Sequence, residues 1–136
     1  MKRILGIDFG MKRTGLAITD ENNIIASGLT TVLTKDLMSY LIQTVKDKNV
    51  GTLVLGEPKR LNMEDSHSSQ NVRLFKEALE KQFPEIEISM MDERFTSKMA
   101  MQSLIAGGVS KKKRQQKELI DEVSATIILQ SYMSTL

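Results

Sequence analysis

A chain of 136 residues and 15.3 kDa has room for one core, so a single domain over 1–136 is expected and multidomain architectures are disfavoured. The absence of Cys and the single His exclude a disulfide framework, a thiol nucleophile and a multi-His metal site, leaving carboxylates as metal ligands. A net charge of +2 is too small to argue for nucleic-acid binding by itself, and with 4 Phe, 2 Tyr and no Trp, base stacking is disfavoured.

Residues 3–9 are apolar on both parities, as in a strand covered on both faces. Residues 14–20 and 24–32 repeat the β character around the turn formers Asp20, Glu21, Asn22 and Asn23, so an opening antiparallel meander is expected. From Thr34, read as an N-cap, Leu37, Leu41 and Val45 trace a helical stripe that should close near Gly51, before a short strand at 52–55. Residues 58–69 lack periodicity and read as a loop, with Ser68 and Ser69 capping a helix through Val72, Phe75, Leu79 and Phe83. Pro84 ends that helix before Ile86, Ile88 and Met90 alternate as a fifth strand. A helix capped by Thr96 or Ser97 through Met101, Leu104 and Ile105 and closed by Gly107 and Gly108, a basic stretch from Lys111 to Lys117, and a helix over about 118–133 complete the order β-β-β-α-β-α-β-α-α. The fourth and fifth strands each follow a helix, so they should join the sheet in parallel: an α/β fold, its mixed five-stranded sheet covered by helices on both faces.

Asp8 lies between Ile7 and Phe9 at the end of the first strand, where a carboxylate needs a metal ion or hydrogen bonds to offset its burial. A turn-capping role for Asp8 is the plainer alternative. Asp92 and Glu93 end the fifth strand at the edge where parallel strands deliver ligand-binding groups, and alternation sends them to opposite faces, leaving open which faces the site. Asp121 shares a helical face with Ala125 and Ile128, so it sits on a packing face and requires a partner, whereas Glu118 and Glu122 suit the first turn of a helix. Asp8, one of the 92/93 pair and Asp121 can therefore converge as hard oxygen ligands for Mg²⁺ or Mn²⁺. Two such ions would clamp the attacking and leaving oxygens of a phosphodiester displacement. Lys111, Lys112, Lys113 and Arg114, joined by Lys12, Arg13, Arg94 and Lys98, would form a phosphate-binding rim; a solvated surface loop is the alternative for the basic run. His67 reads as a surface polar residue.

The segments GIDFGMKRTGLAITD (6–20), LGEP (55–58), DERFTSK (92–98) and IDEVSATIILQSY (120–132) together resemble the YqgF/RuvX family in order and spacing along the chain. The resemblance implies a ribonuclease H-like fold and a metal-dependent nuclease acting on the 5′ end of pre-16S rRNA or on Holliday junctions. It implies Asp8, Glu93 rather than Asp92, and Asp121 as the metal-binding catalytic residues. Glu57 stands where family members commonly carry an apolar residue; more distant junction resolvases of this fold use a carboxylate there as a ligand, so Glu57 is a further candidate. The opening motif is also similar to the phosphate-binding hairpin of sugar kinases and actin-like ATPases, which close two such domains around a nucleotide, and 136 residues supply one. A non-catalytic nucleic-acid-binding module is the remaining alternative. The expected partner is precursor rRNA or branched DNA, met as a monomer or homodimer, and with no apolar stretch of membrane-spanning length the expected location is cytoplasmic.

Overall fold

In a computed structural model the chain is described over residues 2–57, 67–92 and 117–136, with only the backbone described at 67–69, 92, 117 and 118. Its elements are β1 (Arg3–Asp8), β2 (Arg13–Thr19), β3 (Ala26–Leu33), α1 (Leu37–Asp47), β4 (Val50–Glu57), α2 (His67–Gln82), β5 (Glu87–Asp92) and α3 (Lys117–Met133). The five strands form one sheet in the order β3-β2-β1-β4-β5. β1 to β3 are antiparallel and β4 and β5 run parallel to β1, as the alternation of strands and helices requires. The expected helix over 97–105 lies outside the described residues.

Period-two alternation sorts the side chains onto two faces. Leu5, Ile7, Leu16, Leu53 and Leu55 pack with Leu37 and Leu41 of α1 and Val72 and Leu79 of α2. Ile4, Ala17 and Val54 pack on the other face with Ala125, Ile128 and Leu129 of α3. At Gly6 on that second face, an added Cβ would lie 2.8 Å from the Leu129 Cβ and 2.9 Å from the Ala125 carbonyl, so α3 rests directly on the β1 backbone. Among the described residues no helix is long and apolar enough to cross a membrane.

Several boundaries differ from the sequence expectation for local reasons. Ile24 and Ile25 belong to the β2–β3 turn, exposed at 70% and 61%, where the Asp20 carboxylate accepts hydrogen bonds from the Ile24 and Ile25 amides at 2.7 and 3.0 Å. Those bonds, Ile25's first, hold the Asp20 carboxyl below its usual range. Thr34 opens a 3-10 turn instead of capping α1, because its hydroxyl is committed to the Gly10 carbonyl at 2.6 Å. Asn49, with φ 54°, takes the left-handed position after α1, and Gly51 lies inside β4. Ser68 and Ser69 fall within α2, which begins at His67, so they do not cap it. Lys117, read with the basic stretch, is the first residue of α3.

Candidate active site

The site is assembled by α3 running antiparallel to β1. Leu129 and Ala125 lie over Gly6, and one turn earlier the Asp121 backbone lies over Gly15, which has no Cβ to obstruct it. Gly15 is in turn the direct cross-strand partner of Asp8. An added Cβ at Gly15 would clash with the Asp121 carbonyl and stand 2.9 Å from the Asp121 Cβ. Directly opposed antiparallel residues bring their Cβ positions to roughly 5 Å, so the Asp8 and Asp121 side chains start no more than about 8 Å apart. Two acids separated by more than a hundred positions in sequence thus meet at the carboxyl end of β1.

Both acids are held. Asp8 shares the parity of Ile4 and Gly6, the α3 face. Phe9, the next residue, stacks on Phe75 of α2 with ring centroids 4.8 Å apart, which pins the strand end on its other side. The turn between β1 and β2 is braced by Thr34, whose amide donates to the Lys12 carbonyl at 2.9 Å and whose hydroxyl pairs with that of buried Thr14 at 2.9 Å. No pattern in the sequence flags this Thr14–Thr34 brace, because its members are distant in the chain and ordinary in type.

Arg13, read from sequence as a phosphate contact, points back into the site: its Nε donates to Asp121 Oδ2 at 3.3 Å, with both side chains about a quarter exposed. Lys12 beside it is exposed. Glu57, the further ligand candidate, shares the parity of Leu53 and Leu55 and receives Arg73 of α2 at 3.0 Å, on the face away from Asp8. Asp92 ends β5 in register with Glu57. Within β5, Ile88 and Met90 pack with the α1 and α2 cluster while Met91 packs with α3. Glu93, Arg94, Lys98 and Lys111 to Arg114 lie outside the described residues, as do the side chains of Asp92 and His67. Among the described residues no cluster of three acidic or His side chains is complete.

Two further α3 residues bear on the site. The Ser124 hydroxyl, 1% exposed and one turn from Asp121, has no hydrogen-bond partner among the described residues. Burial, with the neighbouring Asp121 charge adding to it, holds the Glu122 carboxyl above its usual range. A raised folded pKa means that ionising Glu122 opposes folding, so the penalty is absent below the ordinary carboxylate range and present at neutral pH. Glu122→Gln is therefore expected to raise the melting temperature at pH 7 and to leave it unchanged near pH 3, measured by thermal unfolding at both pH values.

A mixed sheet with three antiparallel strands, two parallel strands and an acid at the end of the first defines the ribonuclease H-like class. The fold is shared with Thermus thermophilus RuvC solved with a Holliday junction substrate, at a TM-score of 0.61 and 13% identity over 99% of this chain and 98% of that one. Residues 2–135 match the family described as RuvX, Holliday junction resolvase, and the chain belongs to that family. A relative from Christiangramia forsetii, provisionally named pre-16S rRNA nuclease, is 51% identical over 98% of each chain. One from Phocaeicola vulgatus with the same name is 47% identical over 99% of this chain and 97% of its own.

Proposed function

We propose that this protein is a divalent-metal-dependent phosphodiester hydrolase that trims the 5′ end of precursor 16S rRNA. The observation that carries the reading is the meeting of Asp8 and Asp121 across Gly15. Two hard, partly exposed carboxylates at the carboxyl edge of a sheet fit Mg²⁺ or Mn²⁺. The Ser124 hydroxyl one turn away, with no hydrogen-bond partner among the described residues, is consistent with a further component at this edge. Asp8, Asp121 and Glu93 would hold the metal, Glu93 on the strength of the DERFTSK segment's family resemblance. When bound there, the metal supplies Lewis-acid stabilisation of the charge that develops on the phosphoryl oxygens.

The chain's own residues do the positioning. The pairing of Asp8 with Gly15 and the seating of α3 fix where the two carboxylates stand. Lys12, with Arg94 and the Lys111–Arg114 run, would track the phosphate backbone, a contact that carries no sequence information. Glu57, engaged by Arg73, fits a role in joining α2 to the sheet better than a place among the ligands.

The names of the relatives favour RNA, whereas the family description favours a four-way DNA junction as the second reading. Purified protein with Mn²⁺ is offered each in turn. Removal of the 5′ extension from precursor 16S rRNA with the junction left uncut supports the proposal; junction cleavage with RNA intact favours the second reading. Binding of either without cleavage would make the protein a binding module.

A further inference from the structure

We propose that Arg13 is an exchangeable internal cation: it occupies the Asp121 carboxylate until a divalent ion takes its place, and the released guanidinium then engages the substrate phosphate. The proposal rests on the metal-centre reading above and assigns Arg13 two successive partners.

Arg13 opens β2 and shares the parity of Gly15 and Ala17, which places it on the α3 face beside Asp121. The pair is a single Nε to Oδ2 contact at 3.3 Å, longer than the 2.7 to 2.9 Å of a strong charge-assisted bond and without the two-point geometry that makes Arg–carboxylate pairs durable. Each side chain is about a quarter exposed, so water screens the pair and opening it is cheap. The backbone beneath is the opposite. Thr34 ties down the Gly10 carbonyl at 2.6 Å and the Lys12 carbonyl at 2.9 Å, so the Arg13 Cα is anchored while its long side chain can be redirected. A monovalent cation held loosely on a prospective ligand of a divalent one is a competitor for it. Once displaced, it stands at the edge where a phosphate would arrive, and its planar fork suits phosphate oxygens.

A residue that merely orients Asp121 should weaken metal binding when removed, whereas a competitor should strengthen it. Calorimetric titration of the full chain with MnCl₂ separates the two. Arg13→Gln is expected to bind Mn²⁺ about fivefold more tightly than wild type, the factor by which a part-exposed ion pair competes. Arg13→Lys, which keeps the competing charge, should stay near wild type, and unfolding curves in EDTA verify that both variants fold. Binding of a cleavage-resistant 2′-O-methyl phosphorothioate RNA hairpin is then compared in EDTA and in Mn²⁺. Mn²⁺ should strengthen it more in wild type than in Arg13→Gln, because only wild type gains a freed guanidinium. Unchanged or weaker Mn²⁺ binding by Arg13→Gln overturns the exchange while leaving the metal centre standing. An equal Mn²⁺ gain in RNA affinity for both proteins overturns the phosphate half. Wild type that fails to bind Mn²⁺ removes the metal-centre reading and the exchange with it.

Discussion

Asp121→Asn is expected to abolish phosphodiester cleavage, by about 10³-fold or more, in a protein that still folds and still binds nucleic acid. The size follows from the several kcal/mol of transition-state charge stabilisation that a divalent ion supplies, at about 1.4 kcal/mol per tenfold in rate. An amide of the same shape is a poor ligand for a hard divalent cation. The fold should tolerate it because Asp121 is about a quarter exposed and its pairing with Arg13, at 3.3 Å and part-exposed, is worth less than about 1 kcal/mol. The substitution keeps the volume of the side chain, so the packing of α3 on Gly15 is unchanged. Steady-state cleavage, an unfolding curve and an electrophoretic binding assay on one preparation check the three parts. Equal loss of binding and cleavage would point to misfolding or to a binding role for Asp121.

Gly15→Ala is expected to cost more stability than any change of a surface residue, and activity with it. The new methyl would meet the Asp121 carbonyl, and backbone on both sides leaves nothing flexible to yield. Overpacking of this kind costs about 1–3 kcal/mol, and relief requires α3 to lift from β2. That movement separates Asp121 from Asp8, so residual activity should fall even at temperatures where the variant is folded. Gly28 is the internal control: it also faces α3, but an added Cβ there would find its nearest neighbour, the Glu122 Cβ, at 3.5 Å, an ordinary contact. Gly28→Ala should therefore melt near wild type, and thermal unfolding of the two variants side by side gives the comparison. A Gly15→Ala protein as stable and active as wild type would mean that α3 does not sit where the structure puts it.

The architecture was largely legible in the sequence because its signals are local. Two apolar parities at 3–9, turn formers at 20–23 and a helical stripe from Leu37 fix the element order, and strands separated by helices fix the parallel pairing. Capping was less legible. Thr34, Ser68 and Ser69 all have N-cap chemistry, yet one is recruited by a turn across the sheet and the others lie inside α2. The site was legible only in part. Asp8 and Asp121 stood out as charges on packing faces, but their meeting depends on Gly15, whose role as the seat of α3 has no signature beyond the absence of a side chain. The choice between faces at the end of β5 was undetermined by alternation alone, and the side chains of Asp92 and Glu93 lie outside the described residues. The Arg13 contact was missed because a basic residue near a phosphate-binding edge reads as a substrate contact until a carboxylate is seen beside it.

The most direct test is anomalous diffraction from crystals grown in MnCl₂. A Mn²⁺ peak within about 2.2 Å of carboxylate oxygens of both Asp8 and Asp121 is the predicted result. A peak on Glu57 alone, or full Mn²⁺ occupancy elsewhere with these two carboxylates unliganded, would contradict it.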